Sequence, residues 1–299
     1  MSKGLDLGDL VVEIGSNDGY LCSAFQKLGR RAVGVDPSEE MAALAKTRNV
    51  ETYCDFFDPK YVAGWIRDAH GAPKLIVANN VLNHADDLEN FLAAVRLLLD
   101  DSGTFVFQVP SWWSMLGSLN FDQVYHEHVT YWSERSVVEV LRRHGLYVFN
   151  IEQVNYHGTS LRVYAAKNTS RPQIGTALEV DSDWSSIQSK VTLRRNDFLR
   201  RVLDIKGPIV AAGASAKGNT FLNWHRLDHS LIAAVTDVSE YKVGKLTPGS
   251  RIPIVVDEIL ASMDSPTVIV TTWNLADAIK PRLLKINPNV KFMAITEKT

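Results

Sequence analysis

Tyr125-His126-Glu127-His128, followed by Thr130-Tyr131-Trp132, is the densest run of reactive side chains in the sequence. Histidine titrates near neutral pH and can take a proton from a weak acid. A carboxylate beside it can orient the ring, and a tyrosine hydroxyl can donate to a developing oxyanion. The combination suits proton abstraction. In an extended segment Tyr125 and Glu127 would share one side and His126 and His128 the other; a turn would relax that division. A His-x-His pair can also ligate a metal, but the His-Glu-x-x-His spacing of helical zinc hydrolases is absent, and no metal is expected. The bland alternative is a polar loop with capping roles.

Further polar groups fall where apolar runs end. Asn79-Asn80-Val81-Leu82-Asn83-His84 follows the strand pattern Leu75–Ala78. Ligands of open α/β sheets lie beyond the carboxyl ends of the strands, so Asn79 and His84 are expected to face one; a structural histidine is the competing reading of His84. Val11–Ile14 is a buried-strand pattern carrying Glu13 and running into Gly15, Asn17, Asp18 and Gly19. The spacing is G-x-x-x-G, whereas dinucleotide sites require G-x-G-x-x-G so that backbone can touch a pyrophosphate. A cationic nucleoside cofactor such as S-adenosylmethionine is the better candidate, with these five residues as its contacts. Asp36 ends the next strand roughly twenty residues after the loop, where an acid binds ribose hydroxyls. It also stands before Pro37 as a helix cap. Asp55 and Phe56, after the third strand, suit the edge and face of an adenine; a core role for the phenylalanines is as good a reading.

Two later loops read as substrate contacts. His157-Gly158-Thr159-Ser160-Leu161-Arg162 joins hydroxyls to a cation and suits a phosphate or a sugar, or is a simple hairpin turn. Gly213-Ala214-Ser215-Ala216-Lys217-Gly218-Asn219-Thr220 opens a helix. Its amides and Lys217 suit an anion, although it is not a Walker loop. Asp237, after the following strand, is placed for a ribose or base.

The elements that position these residues alternate between strand and helix, which predicts a parallel sheet covered on both faces. Helices are expected at Leu21–Leu28, Ser38–Thr47 and Leu88–Leu99, and strands at Ala32–Val35 and Thr104–Gln108. Tyr147–Val154 and Ser160–Ala166 read as an antiparallel addition after a helix at Glu134–His144. The expected layout is a first α/β domain over 1–172, a polar helical connector over 173–204 and a second, smaller α/β domain over 205–299. Strands of that second domain are read at Pro208–Ala212, Ile232–Val235, Val268–Thr271 and Lys291–Ile295. With 299 residues, 45% of them hydrophobic, the chain can fill both cores. A net charge of −2 gives no electrostatic case for nucleic acid or a membrane surface. Two distant cysteines and no apolar leader point to a cytoplasmic protein without a disulfide framework.

Together these segments resemble the bacterial sugar C-methyltransferases, which use S-adenosylmethionine on nucleotide-linked keto-deoxysugars. The similarity runs through Glu13–Leu21, Asn79–His84, Tyr125–His128 with Tyr131, His157–Arg162, Gly213–Thr220 and Gly244–Pro253. It implies a class I methyltransferase domain followed by a smaller Rossmann-like domain. It also implies that a base takes a proton from the carbon beside a sugar ketone before methyl transfer. On that resemblance His128 is the base, Tyr125, Glu127 and His84 complete the catalytic group, and His157, Ser160, Arg162, Gly213, Lys217 and Asn219 bind substrate. Family members carry a cysteine-rich zinc module ahead of the glycine loop; its cysteines have no counterpart in this sequence, so the expectation is a more open site or one completed by a second chain. Thr159 replaces a glycine in a place suited to positive φ. Alternatives from the same residues are O-methylation of a sugar or small polar metabolite, and a non-catalytic or NAD-binding protein.

Overall fold

The computed structural model describes residues 4–119, 121–155, 158–175 and 184–295. The chain forms two compact units, one of Met1–Ser114 and Glu127–Val180, the other of Met115–His126 and Asp181–Thr299. The second unit therefore takes in a short segment that a cut at residue 172 would assign to the first.

In the first unit the apolar runs become β1 (Leu10–Ile14), β2 (Arg31–Val35), β3 (Glu51–Tyr53), β4 (Leu75–Asn79) and β5 (Thr104–Pro110). All residues of β1 are buried, as a strand covered on both faces requires. Val12 and Ile14 join one core, with Ile66, Phe91, Phe105 and Leu141. Val11 joins the opposite one, with Cys22, Phe25 and Ala45. The covering helices are α1 (Tyr20–Lys27), α2 (Glu39–Thr47), α3 (Val62–His70) and α4 (Leu88–Leu98). Ser38 caps α2 by accepting from the Met41 amide, and Asp87 caps α4 through Asn90. The chain leaves this unit within α5 (Trp112–Ser118) and later adds α6 (Glu134–Arg143), β6 (Tyr147–Val154) and β7 (Ser160–Ala166). The strand order is β3-β2-β1-β4-β5-β7-β6, with β7 antiparallel to both of its neighbours. The antiparallel pair has the ends expected from its sequence.

The second unit holds α7 (Trp184–Leu203), β8 (Ile209–Ala212), α8 (Ala216–His225), β9 (Ala234–Thr236), β10 (Ile254–Val255), β11 (Thr267–Val270), α9 (Ala276–Ile286) and β12 (Lys291–Met293). Its sheet runs β10-β9-β8-β11-β12, all parallel. The strand expected at Ile232–Val235 lies later, because the Ile232 amide bonds back to Asp228 and Ala233 to Ile209 before the ladder begins. The two-residue β10, which pairs on β9, has no counterpart among the strands read from the sequence. Each sheet has one position where strand order reverses, between β1 and β4 and between β8 and β11. There the loops part and leave a crevice. Among the described residues no helix is long and apolar enough to cross a membrane.

The β6–β7 turn contains Gly158 at φ 88° and Thr159 at φ 92°. A β-branched side chain is strained there, as the sequence led us to expect. Strain of this kind costs about 1–3 kcal/mol, partly offset by the unfolded-state freedom a glycine would add. Thr159→Gly is expected to stabilise the protein by about 1 kcal/mol, read as a higher midpoint in urea unfolding; a lower midpoint would show the threonine to be tolerated.

Candidate active site

In the first unit the expected residues gather at the carboxyl ends of the strands. Gly15 follows β1 at φ 68°. A Cβ there would lie 2.5 Å from Val81 Cγ2, so the loop after β1 presses directly on the turn after β4. Asp36, buried at the end of β2, accepts the Asn17 amide on Oδ2 at 2.9 Å and the Ser38 amide on Oδ1 at 3.0 Å. The capping and site positions of Asp36 thus coincide, since each carboxylate oxygen keeps a second lone pair. Ser16 Oγ is buried without a hydrogen-bond partner.

Glu13 is buried against α1, where it accepts from the Cys22 thiol at 3.3 Å. Burial pushes its carboxyl up to about 7, with the Cys22 hydrogen bond opposing the rise. Asp18 is committed to Arg48 at 2.7 Å and to the start of α1 through the Tyr20 amide. Asp55 is exposed and accepts the Phe56 amide. Phe56 is 75% exposed, whereas Phe57 packs on Phe91. The aromatic pair is thus divided between surface and core. Asn79 ends β4 beside Gln108 of β5.

The histidine loop is a turn rather than an extended strand. It is stitched to the turn after β4. The Asn83 carbonyl accepts from Val129 N at 2.8 Å, and Leu82 O accepts from Thr130 Oγ1. His84 Nδ1 donates to the Glu127 carbonyl at 2.8 Å. A carbonyl can only accept, so this bond fixes the tautomer and leaves Nε2 as the basic nitrogen of neutral His84. His84 and His128 meet edge to face at 5.0 Å, and His128 faces Tyr131 at 6.3 Å. His128 is buried, while Glu127 and His126 are exposed. The Asn83 side chain is buried with neither amide atom partnered; the polar run after β4 contained it, but nothing in the pattern singled it out.

Ser160 is fully buried at the start of β7. Arg162 lies across from Gln108 on one side and Glu152 on the other. Its Nη2 donates to Gln108 at 3.2 Å, its Nη1 is 4.0 Å from Glu152, and its buried Nε has no partner. His157 lies outside the described residues. Among the described residues no group of three or more His, Cys, Asp or Glu side chains is placed to hold a metal ion.

The second unit repeats the first unit's corner. Gly213, at φ 97°, follows β8; a Cβ would fall 2.0 Å from Thr272 Oγ1. Asp237, after β9, accepts from Ala214 N at 2.8 Å and Ser239 N at 2.9 Å. Burial raises this carboxyl, but those amides and Lys242 outweigh it and hold the group below its usual range. Ser215 caps α8 by accepting the Gly218 amide. Asn219 is tied to Asn223 through both its carbonyl and its side chain. Lys217 is not a solvated anion hook. It lies over the Trp273 ring at 5.4 Å, and burial lowers its pKa while Asp122 opposes the fall. Asp122 and Trp273 were not anticipated; Trp273 closely follows a strand end, the one signal that marks it.

The first unit's strand order, with its reversed β7 and its acid-and-glycine corner, defines a class I S-adenosylmethionine-dependent methyltransferase. A family described as "Methyltransferase domain" matches residues 2–151, and one described as "C-methyltransferase C-terminal domain" matches 155–294. The chain is 32% identical over 291 residues to C-methyltransferase NovU of Streptomyces niveus, covering 92% of this chain and 69% of that protein. It is 27% identical over 96 residues to a ubiquinone biosynthesis O-methyltransferase of Rhodopseudomonas palustris, covering 32% of this chain and 38% of that one. A solved S-adenosylmethionine-dependent methyltransferase from Mesorhizobium loti superposes with a TM-score of 0.43 at 16% identity, over 53% of this chain and 91% of that chain. The chain belongs to the C-methyltransferase family.

The residues present fit the cofactor: a tightly packed glycine turn, an orphaned Ser16 hydroxyl and the Asp36 carboxylate, each oxygen of which keeps a second lone pair. Glu13 makes a separate prediction. Its folded-state pKa lies above the unfolded value, so its stabilising effect is full below 4.5 and is lost as pH rises through about 7. Glu13→Gln should match the parent at acid pH and exceed it in alkaline solution by on the order of 3 kcal/mol, measured by urea melts across that range. A gap independent of pH would show that Glu13 does not titrate there.

Proposed function

We propose that this chain transfers a methyl group from S-adenosylmethionine to carbon on a nucleotide-linked keto-deoxysugar. One observation carries the reading. The turn after β4 presses on the glycine loop at Val81 and holds the histidine loop at Asn83 and His84. A cofactor cradle and a proton-accepting group therefore share one rigid support.

In this reading Gly15, Ser16, Asn17, Gly19, Asp36 and Asn79 hold the cofactor, with Glu13 and Asp18 bracing the corner and Asp55 and Phe56 at its adenine end. Bound S-adenosylmethionine supplies the methyl group as an electrophile. A sugar carbon has no lone pair, so it must first lose a proton to become a nucleophile. His128 takes that proton from the carbon beside the ketone. Tyr125 donates to the oxyanion that forms, and Glu127 orients the sugar. His84, with Nε2 bare, receives the proton from the His128 side and passes it toward solvent. Ser160, Arg162 and His157 bind the sugar. The second unit's own corner, at Gly213 and Asn219, suits a nucleotide, while Lys217 is taken up by Trp273 and Asp122. Holding the reacting carbon in line accounts for much of the rate.

Titration calorimetry and isotope exchange test this reading. Asp36→Asn should weaken S-adenosylmethionine binding by about tenfold or more, the scale of a lost hydrogen bond to a charged group. With S-adenosylhomocysteine in place of the methyl donor, the parent chain should wash deuterium from D2O into the carbon beside the ketone of a thymidine-diphosphate-linked keto-deoxysugar. His128→Asn should slow that exchange by roughly 100-fold to 10,000-fold. Methylated product with the new group on oxygen, and no deuterium in the sugar, would refute carbon methylation.

A further inference from the structure

We propose that Gln108 is a positioning residue for Arg162: its side-chain carbonyl holds the guanidinium by one nitrogen and leaves Nη1 to the sugar. The proposal rests on the reading above that Arg162 binds the sugar, and every residue it uses belongs to the first unit.

A polar row crosses the sheet of this unit. Asn79 of β4 stands beside Gln108 of β5, Gln108 beside Arg162 of β7, and Arg162 beside Glu152 of β6. Residues paired across adjacent strands share a face. One row back on that face, Val77 is paired with Val106 and Val106 with Tyr164, and these pack in the apolar core. The polar row marks the line where that core ends, toward the carboxyl ends of β4 and β5.

Gln108 is 4% exposed. An apolar side chain of the same length would fill its place, and a buried amide is costly unless bonded. Its bonds run two ways. The side-chain oxygen accepts from Arg162 Nη2 at 3.2 Å, and the backbone carbonyl accepts from Asn80 N at 2.7 Å. One residue therefore ties the turn after β4 to the arginine of β7.

The other two nitrogens of the guanidinium are held less closely. Nε is buried with no partner. Nη1 stands 4.0 Å from Glu152 Oε2, too far for a hydrogen bond. Glu152 is itself occupied: Asn150 donates to Oε1 and Tyr164 to Oε2, each at 3.1 Å. Its carboxylate balances the arginine's charge without taking its hydrogens. Those on Nη1 stay available to the hydroxyl or carbonyl oxygens of a sugar.

A packing role for Gln108 would change stability alone, whereas a positioning role acts through Arg162. Gln108→Met keeps the side-chain length and removes the acceptor; Gln108→Glu keeps an acceptor and gives it charge. Nitrogen-15 NMR of the full chain, labelled at arginine, reads the Arg162 Nε–H, assigned by its loss in Arg162→Met. In Gln108→Met that proton should exchange with water faster by on the order of tenfold, and in Gln108→Glu more slowly than in the parent. With the thymidine-diphosphate-linked keto-deoxysugar as probe, Gln108→Met should raise KM for the sugar about tenfold and leave KM for S-adenosylmethionine unchanged. Gln108→Glu should keep the parent's sugar KM. In an Arg162→Met background Gln108→Met should cost nothing further. Unchanged Nε–H exchange in Gln108→Met would overturn the proposal, as would KM losses that multiply with Arg162→Met. If Gln108→Met does not fold, Gln108→Glu decides, since faster exchange with a charged acceptor in place would overturn the proposal as well. An unchanged sugar KM in Arg162→Met alone would instead overturn the reading of Arg162 as a sugar ligand, and Nε–H exchange would still decide whether Gln108 holds it.

Discussion

Gly15 lies against Val81 with no room for a methyl group between them, and much of the first unit's site follows from that approach. It brings the loops after β1 and β4 together where strand order reverses. Val81 is the first residue of the turn that carries Asn83 and His84, so a shift at Gly15 would move the histidine loop as well. Three hydrogen bonds then pass the position on: Val129 to Asn83, Thr130 to Leu82 and His84 to Glu127. Backbone carbonyls accept all three. Two of the donors are side chains, Thr130 Oγ1 and His84 Nδ1, so the stitching depends on those two residues as well as on where the turn sits.

The two units solve one problem with the same device. In each, an acid just beyond the second strand reaches back to an amide of the glycine loop and forward to an amide two residues on. The corners differ in charge. Lys242 stands 3.3 Å from Asp237, whereas Asp36 is held by amides and lies near Glu13 and Asp18. In the second corner a lysine balances the acid; in the first, Arg48 pairs with Asp18 and burial favours the neutral form of Glu13. Asp237 keeps less capacity to hold a ribose than its place in the sheet suggests.

Strand-to-helix alternation was legible because buried parallel strands read as apolar runs, and the antiparallel pair because two strand-like runs flank a glycine turn. The residues beyond the strands were legible as a group by position alone. Their individual commitments were not. Nothing local distinguishes Asp18, which pairs with Arg48, from Asp36, which takes the loop amide. Phe56 and Phe57 are chemically alike, and only the path of the chain beyond β3 sends one outward and one into the core. Lys217 reads as an anion hook until Asp122 is set beside it, and no periodicity links residues from such distant parts of the chain. The late start of β9 has the same origin, since a partner carbonyl on β8 decides where the ladder begins.

Because the second unit draws on two stretches of chain, its assembly is bound to the order of synthesis. Met115–His126 leaves the ribosome well before its partners, and Asp122 must wait 151 residues for Trp273. At ordinary translation speeds that is roughly ten to thirty seconds. Over that interval the first unit can close its sheet around the excursion, since loop closure costs grow only slowly with length. The buried carboxylate stays hydrated meanwhile and loses its water late. The nascent chain thus carries Asp122 in water from its middle, and completion of the carboxyl-terminal sheet is what takes it up.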